Sequence, residues 1–460
     1  MNFSINPATG ETLAHFALHD AAEIDTALDR AVRAQGDWRW TSSATRRALL
    51  QRLAAGLRAD LETLAVLITA EMGKPIGEAR AEVQKCAANC DFYADAAAGI
   101  LADAPVADAP GAFIAYEPLG VVLAIMPWNY PLWQVLRFLA PALAAGNGAI
   151  LKHAGNVPQC ALAIERLVIE AGAPEGLFAH LRLAPDMVAA LIADQRIAAV
   201  TLTGSTEVGM TVASQAGAAL KKQVLELGGS DPFIVLADAD VDLAASKAVT
   251  ARFTNAGQSC INAKRFIVVD AVADQFLNAF AVATARLVMG DPTDPRTNLG
   301  PLARDSLRVA LDGQVRRSIA AGARLVTGGA MPEGPGSYYP ATLLDKVTPG
   351  MAAFDEETFG PAAAIIRARD EAEAIALANR TAFGLGASVW SRDTDRALGI
   401  ARRIDAGAVF VNMVVASDPR VPFGGIKLSG YGRELGDLGL REFTNAKTIR
   451  HPSGTDEAAG

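Results

Sequence analysis

VVLAIMPWNYPLWQVLRFLAPALAAGNGAILKHAGN, residues 121–156, is the segment on which the fold prediction rests. Its β-branched start, Val121–Met126, predicts a strand, residues 132–145 predict a helix closed by Gly146, and residues 149–152 predict a second strand. Strand, helix and strand in this order form a βαβ unit, whose strands are parallel and buried on both faces. The segment therefore predicts an α/β protein.

Residues 120–151 are mostly apolar, which raises the question of a membrane span. Pro127, Pro131, Arg137 and Pro141 interrupt them, so no run of the ~18 apolar residues that a spanning helix needs remains. We therefore predict no membrane partner.

The alternation of strands and helices continues beyond this unit. On its C-terminal side we predict a helix at 161–170, a strand at 198–202, a helix at 206–216 and a strand at 223–227. A second alternating region runs from 232 to about 429 and includes predicted strands at 233–236, 266–269, 363–366 and 409–412. The first hundred residues instead predict helices, among them 21–35, 45–58 and 61–72.

Composition excludes several classes of protein. The chain has 460 residues, 51% hydrophobic and 20% charged, so it can bury a large core and is not disordered. Its 42 basic and 50 acidic residues give a net charge of −8 without a basic stripe, so we predict no nucleic-acid partner. Four cysteines and five histidines, with no Cys-x-x-Cys pair, predict a reducing, cytoplasmic compartment and no metal site.

In sheets of this kind, ligands bind beyond the carboxyl ends of the strands. The segments that follow the predicted strands are therefore the candidate site. They are Pro127-Trp128-Asn129, Lys152-His153-Ala154-Gly155, Thr203-Gly204-Ser205-Thr206 and Leu227-Gly228-Gly229.

Two side chains suit covalent catalysis. Cys260 ends the polar segment TNAGQSC, residues 254–260, where a thiol can be kept partly ionised and act as a nucleophile. Glu226 stands between leucines at a strand end, and apolar surroundings raise the pKa of a carboxyl toward that of a general base. The alternatives are an inert loop cysteine and a structural carboxylate bonded to backbone amides.

Two further groups suit anion binding. Asn129 offers a side-chain NH2 between two prolines, where it could stabilise an oxyanion, although a turn-forming role explains the same residue. Gly204 and Ser205 open a helix after a strand, where free amides can bind a pyrophosphate. Each signal is weak when it is taken alone.

Seven motifs occur together in a recognisable order. They are Pro127-Trp-Asn129, Thr203-Gly-Ser205, Glu226-Leu-Gly-Gly229, Gly257-Gln-Ser-Cys260, Glu357-Thr-Phe-Gly-Pro361, Pro422-Phe-Gly-Gly425 and Gly432-Arg-Glu434. With them, the chain resembles the aldehyde dehydrogenase superfamily over nearly its whole length. Lys152-His-Ala-Gly-Asn-Val, the segment ELGGSDPFIVL at 226–236 and Ala416-Ser-Asp are similar to the succinate-semialdehyde dehydrogenase branch.

The resemblance implies an α/β fold with a Rossmann-like cofactor domain, an α/β catalytic domain and a small oligomerisation hairpin. Residues 1–102 and 117–229 are expected to form the cofactor-binding domain, and 230–428 the catalytic domain. Residues 103–116 and 429–460 are expected to form the oligomerisation segments, which implies a homo-oligomer.

The resemblance also implies a reaction, the NAD(P)+-dependent oxidation of succinate semialdehyde to succinate. The Cys260 thiolate attacks the aldehyde carbon, Asn129 and the Cys260 amide hold the oxyanion of the thiohemiacetal, and hydride transfer leaves a thioester. Glu226 then activates the water that releases the acid. The alternatives are a broad-specificity aldehyde dehydrogenase and a Cys/Glu thioesterase-like hydrolase.

The residues expected to contact the cofactor come from the same motifs. They are Trp128, Asn129, Lys152, His153, Ala154, Gly155, Gly204, Ser205, Leu227, Glu357 and Phe359. Relatives strict for NAD+ commonly carry a glutamate at the position of Gly155, so its absence predicts that NADP+ is accepted alongside NAD+. The alternative is that Gly155 only forms a turn.

Arg137 and Ser417 are the expected substrate-binding residues. Arg137 lies about two helical turns after Asn129, where a guanidinium could hold the far carboxylate of a short semialdehyde. The alternative is a structural arginine paired with an acidic neighbour. A second arginine common in similar enzymes, six positions before the nucleophile, is replaced here by Thr254.

Overall fold

The computed structural model of the protein describes residues 1–452. The α-helices within them are Ala21–Trp38 (α1), Ser43–Ala59 (α2), Leu61–Met72 (α3), Ile76–Ile100 (α4), Trp133–Ala145 (α5), Pro158–Glu170 (α6), Met187–Ala193 (α7), Thr206–Ala218 (α8), Val241–Phe253 (α9), Asp270–Thr284 (α10), Asp305–Ala320 (α11), Ala352–Asp355 (α12), Glu371–Asn379 (α13), Thr394–Ala401 (α14) and Gly436–Glu442 (α15). Short 3₁₀ helices occupy Thr254–Gly257 and Lys427–Ser429.

The strands fall into two large and two small sheets. They are Asn2–Ile5 (β1), Thr12–Phe16 (β2), Ala104–Pro105 (β3), Ala112–Pro118 (β4), Val121–Met126 (β5), Gly148–His153 (β6), Phe178–His180 (β7), Ile197–Thr203 (β8), Lys222–Glu226 (β9), Asp231–Val235 (β10), Ala263–Val269 (β11), Arg324–Thr327 (β12), Thr342–Asp345 (β13), Ala362–Ala368 (β14), Gly386–Trp390 (β15), Ala408–Val411 (β16), Gly430–Tyr431 (β17) and Thr444–Arg450 (β18).

The first large sheet has six strands in the order β17-β9-β8-β5-β6-β7. The strands from β9 to β7 are parallel, whereas β17 pairs antiparallel with β9, with Gly430 opposite Glu226. β5 is buried at every position, as expected for a sheet covered on both faces. The predicted βαβ unit is confirmed, because β5 and β6 are parallel neighbours joined by α5.

The second large sheet has seven strands in the order β12-β13-β14-β11-β10-β15-β16. Its strands are parallel except for the antiparallel pair of β12 and β13. The predicted second alternating region is therefore confirmed, and β12, β13 and β15 add strands that we did not predict individually. The segment between α9 and the fully buried β11 carries Cys260.

The prediction that the first hundred residues are helical is wrong for their first part. β1 and β2 form an antiparallel hairpin, and α1 begins only at Ala21. The hairpin is held by a distant contact, because the Ser4 hydroxyl donates a hydrogen bond of 2.7 Å to the buried carboxylate of Glu71 on α3. No local pattern in the sequence reports such a contact.

The predicted oligomerisation segments lie in different surroundings. β3, β4 and β18 form a three-stranded antiparallel sheet, in which β18 pairs with β4 from Thr444 opposite Pro118 to Arg450 opposite Ala112. β17 instead joins the six-stranded sheet, and α15 packs against α5. Residues 453–460 of the predicted segment lie outside the described residues. The domain boundaries themselves remain a prediction.

α5 is buried along its whole length, from Trp133 to Ala145. Its N-cap residue is Leu132, whose side chain makes no capping hydrogen bond. Glu82 of α4 supplies the cap by accepting hydrogen bonds from the amides of Leu132 (2.9 Å) and Trp133 (3.0 Å). The same carboxylate pairs with the buried ammonium of Lys74, and both side chains are at most 1% exposed. No helix within residues 1–452 has the length and apolarity that crossing a bilayer requires.

We predict that Glu82→Ala strongly destabilises the protein. The substitution removes the cap of α5 and leaves the Lys74 ammonium buried without its partner, which costs about 3–5 kcal/mol of unfolding free energy. Glu62→Ala is the matched control, because the Glu62 carboxylate forms an exposed pair with Arg80. Thermal unfolding followed by circular dichroism should show a large fall in midpoint for Glu82→Ala only. Equal midpoints for the two variants would contradict the role of Glu82.

Candidate active site

A cavity of about 250 Å³ lies beyond the carboxyl ends of β5, β8 and β9. Seven residues expected to contact a cofactor line it, together with the candidate nucleophile Cys260. The seven are Trp128, Asn129, Gly204, Ser205, Leu227, Glu357 and Phe359. The structure thus brings together segments that are more than 200 positions apart in the sequence, since Trp128 and Phe359 meet edge to face with ring centroids 5.9 Å apart.

Three lining residues were missed by the sequence analysis. Gln134 lies on α5, and Arg304 and Leu307 come from the start of α11. Arg304 places its guanidinium 5.7 Å from the centroid of the Trp128 ring. The segment that carries Arg304 and Leu307 matches none of the motifs, so no pattern in the sequence indicates either residue.

The loop before Cys260 has an unusual backbone. Asn255, Ala256 and Gly257 have consecutive φ angles of 56°, 51° and 74°. These angles lie in the left-handed region, which residues with a Cβ rarely adopt. Two contacts hold Asn255 there. Its side-chain amide donates to the carbonyl of Asn129 at 2.8 Å, and its backbone amide donates to the carboxylate of Glu78 at 2.7 Å. The nucleophile loop therefore depends on residues far away in the sequence.

Lys264 holds the other side of this loop. Its ammonium is fully buried and donates hydrogen bonds to the carbonyls of Ser259 (3.0 Å), Cys260 (2.9 Å) and Asn262 (3.3 Å). The nearest carboxylate oxygen, on Glu357, is 3.7 Å away. Lys264 was not predicted, although a lysine inside an apolar strand four residues after a candidate nucleophile is a signal that could have indicated it.

Burial raises the pKa of the Cys260 thiol to about 11. Arg137 and Lys264 act in the opposite direction, while the charges of Glu357 and Glu226 raise the pKa further. The prediction that a polar loop keeps this thiol partly ionised is therefore wrong, because loss of water around the sulfur outweighs the two nearby cations. Cys86, Cys90 and Cys160 are fully buried core residues.

Glu226 ends β9 with its side chain buried and neither carboxyl oxygen bonded to any of residues 1–452. Burial raises its pKa well above the ordinary value, Glu434 raises it further, and Arg137 and Arg433 lower it. The predicted raised pKa is confirmed, and the alternative of a carboxylate bonded to backbone amides is wrong. The carboxyl lies against Gly424, where an added Cβ would be 2.7 Å from Oε1.

Asn129 lines the first cavity together with Cys260. Its side chain is 5% exposed, and Nδ2 donates a hydrogen bond of 3.0 Å to the carbonyl of Gln258 in the nucleophile loop. The side-chain amide is therefore fixed beside the thiol-bearing segment, as an oxyanion donor must be.

The end of β6 and the residues that follow it lie outside this cavity. The Lys152 ammonium makes no hydrogen bond or ion pair with residues 1–452, and burial lowers its pKa. The His153 ring is turned inward, because Nε2–H donates to the carbonyl of Pro131 at 2.8 Å and Nδ1 accepts from the amide of Ala154. Burial lowers the pKa of His153 to about 4, so the ring is neutral and holds two loops together. A Cβ at Gly155 would lie 3.2 Å from Oδ1 of Asn2.

A second cavity, of about 330 Å³, has Cys260 in its wall as well. The expected substrate residues Arg137 and Ser417 both line it. Arg137 forms a buried ion pair with Glu434, donates a hydrogen bond of 3.2 Å to the Thr203 hydroxyl, and lies over the Phe423 ring. The alternative for Arg137, a structural arginine paired with an acidic neighbour, is thus present in the structure. The acidic neighbour is Glu434, which balances the charge of Arg137.

The pKa of Cys260 leads to a prediction about its reactivity. Because the pKa is raised, the thiolate fraction near pH 8 is small and reaches one half only near pH 11. The rate of alkylation by iodoacetamide, measured on the protein without added ligands, should still be rising between pH 9 and pH 10. Cys260→Ser supplies the blank for the three core cysteines. A rate that is level above pH 8 would contradict the raised pKa.

The chain is similar to known proteins over nearly its whole length. The model of the aldehyde dehydrogenase family matches residues 3–449. A succinate semialdehyde dehydrogenase [NAD(P)+] of Escherichia coli (strain K12) is 50% identical over 447 residues, which are 97% of each chain. A probable succinate-semialdehyde dehydrogenase [NADP(+)] of Synechocystis sp. is 51% identical over 97% of this chain and 98% of its own.

A solved structure agrees in fold. The succinic semialdehyde dehydrogenase of Streptococcus pyogenes, determined in complex with NADP+, superposes with a TM-score of 0.96 and 38% sequence identity. The match covers 98% of this chain and 100% of that one. The fold class expected from the seven motifs is thereby confirmed, and the chain belongs to the aldehyde dehydrogenase family.

Proposed function

We propose that the protein oxidises succinate semialdehyde to succinate with NADP+ or NAD+ as the electron acceptor. The observation that carries the proposal is the position of Cys260 in the walls of two cavities. One is lined by residues expected to bind the cofactor, and the other contains cationic side chains and Ser417. The two relatives named as succinate semialdehyde dehydrogenases, at 50% and 51% identity, support the choice of substrate.

In the first half of the reaction, Sγ of Cys260 attacks the aldehyde carbon. The thiol first loses its proton to water. As Sγ bonds to the carbon, the π bond of the carbonyl breaks, and its oxygen becomes an oxyanion that the Asn129 amide and the Cys260 backbone N–H stabilise. Lys264 keeps that backbone in place by binding the carbonyls on either side of it. When bound, NADP+ or NAD+ would supply the two-electron oxidation by which the thiohemiacetal on Cys260 becomes a thioester.

In the second half, Glu226 takes a proton from a water molecule that attacks the thioester carbon. The carbon–sulfur bond breaks, succinate leaves and the Cys260 sulfur is regenerated. A carboxyl with a raised pKa and no hydrogen-bond partner among residues 1–452 is suited to act as this general base, because it accepts a proton at little cost in free energy.

The residues present fit a dinucleotide. The Lys152 ammonium has no partner among the described side chains, and Ser205 caps α8, whose N-terminus favours a pyrophosphate. Gly228 has no side chain, and this leaves room for the Glu357 carboxylate. A Cβ on residue 228 would lie 2.5 Å from Oε2 of Glu357. Lys152 and Glu357 would hold the two riboses, and Ser205 the pyrophosphate.

The assembly and location of the protein belong to the same proposal. β18 and β3 are the edges of their three-stranded sheet in the described part of the chain, and an open strand edge supports homo-oligomer formation. Strands β5 to β9 lie within 117–229 and strands β10 to β16 within 230–428, which supports the proposed domain division at 1–102 with 117–229, and 230–428, although β17 joins the first large sheet from outside these ranges. The scarcity of cysteine supports a cytoplasmic location.

We predict that succinate semialdehyde is a better substrate than butanal, which has the same chain length without the carboxylate. The kcat/KM for succinate semialdehyde should exceed that for butanal at least tenfold, measured as absorbance of the reduced cofactor. Equal values would favour the broad-specificity aldehyde dehydrogenase. Hydrolysis of a thioester without any cofactor reduction on either aldehyde would favour the thioesterase-like hydrolase.

Cofactor choice gives a separate prediction, centred on Gly155. Gly155→Glu should lower kcat/KM for NADP+ at least tenfold more than Gly155→Gln, because a carboxylate repels the 2′-phosphate. Both substitutions place a Cβ 3.2 Å from Oδ1 of Asn2, so any strain is shared and only the charge differs. The kcat/KM for NAD+ should change equally in the two variants. A wild-type kcat/KM for NADP+ a thousandfold below that for NAD+ would overturn this prediction.

A further inference from the structure

Two cationic side chains line the second cavity, Arg137 and Lys85. Arg137 is paired with Glu434, so that the two buried charges sum to zero. Lys85 differs, because no carboxylate within residues 1–452 lies within ion-pair distance of its ammonium. Asp418, the acidic residue next to Ser417, instead pairs with Arg420, whose Nε lies 2.8 Å from Oδ1. The cavity that contains Cys260 therefore has one uncompensated positive charge in its described wall.

The Lys85 ammonium is held in a defined position. Nζ donates a hydrogen bond of 2.6 Å to Oγ of Ser417 and lies 4.2 Å from the centroid of the Trp133 ring. Both partners line the same cavity, and Trp133 is almost fully buried. Burial lowers the pKa of Lys85 to about 8 and the charge of Arg137 lowers it further, and together they outweigh the opposing charges of Glu82 and Asp418.

We propose that Lys85 and Ser417 bind the far carboxylate of the substrate, and that Arg137 acts by holding Glu434 rather than the substrate. The proposal rests on the oxidation of succinate semialdehyde proposed above. An ammonium and a hydroxyl 2.6 Å apart present donors to the two oxygens of one carboxylate. The class of ligand is thus a short aldehyde with a carboxylate at its other end.

The surroundings favour a charged ligand over a neutral one. A carboxylate that enters a partly apolar cavity loses water, and only a matching cation compensates that loss. Trp133 and Phe423 make much of the wall apolar, which strengthens the attraction between the ammonium and a carboxylate. An uncharged aldehyde gains nothing from Lys85 and leaves its positive charge unmatched.

The test uses the full-length enzyme and three lysine variants. Lys85→Met removes the charge and keeps an unbranched side chain of similar length, whereas Lys85→Arg keeps the charge. Lys247→Met is the matched control, because Lys247 is exposed on α9 and belongs to neither cavity. For each protein we would measure kcat/KM for succinate semialdehyde and butanal, and the inhibition constant of succinate against butanal oxidation.

We expect Lys85→Met to lower the ratio of the two kcat/KM values at least tenfold and to raise the inhibition constant of succinate at least tenfold. Lys85→Arg should retain most of the preference, and Lys247→Met should match the wild type. A preference that survives in Lys85→Met, or a parallel loss on both aldehydes, would overturn the role of Lys85. If Lys85→Met does not fold, Lys85→Gln tests the same loss of charge while retaining a donor to Ser417.

The outcome separates this inference from the proposed function. A wild-type enzyme without preference for succinate semialdehyde over butanal would overturn the function itself. The wild-type preference for succinate semialdehyde could instead be lost in Arg137→Met and retained in Lys85→Met. That result would leave the proposed function in place. That result would return the carboxylate-binding role to Arg137.

Discussion

The contact of the Glu82 carboxylate with the start of α5 positions the helix that supplies one wall of both cavities. α5 begins where two of its amides donate to Glu82, just after the segment that carries Asn129. Its next residues, Trp133, Gln134 and Arg137, then form walls of the two cavities. A buried carboxylate on a neighbouring helix thus determines where these side chains point, because α5 itself contributes no cap.

α4 extends this influence to the nucleophile. Glu78, Glu82 and Lys85 are spaced by four and three positions, so they project from one face of the helix. Glu78 binds the Asn255 amide, Glu82 caps α5, and Lys85 reaches Ser417. One helix face therefore touches the nucleophile loop, the helix after Asn129 and the second cavity, which makes α4 a common support for all three.

Much of the site could be predicted because it follows a local rule. Residues just after parallel strands gather at one sheet edge, and Trp128, Gly204 and Leu227 were found in the first cavity for this reason. Lys264 and Arg304 could not be found in this way, since their roles depend on contacts rather than on motifs. The N-terminal hairpin was also missed, because the contact that holds it, from Ser4 to Glu71, joins residues far apart in the sequence.

The state of ionisation was the hardest property to predict. A sequence shows that Cys260 has polar neighbours, but the pKa follows from how much water the folded chain removes, and here burial dominates. Glu226 was predicted correctly since its apolar neighbours are adjacent in the sequence and remain so in β9. Local surroundings thus predict a pKa only where the fold preserves them.

The left-handed backbone at Asn255 and Ala256 bears on the order in which the protein acquires its activity. Its two anchors are contacts across 126 and 177 positions of sequence, to Asn129 and Glu78. Contacts that distant form late, because the chain must first close long loops at a cost in entropy. A chain with all its helices and strands in place could thus still lack the reactive geometry of Cys260. During biosynthesis the thiol-bearing loop would then stay unformed until the rest of the molecule had assembled around it.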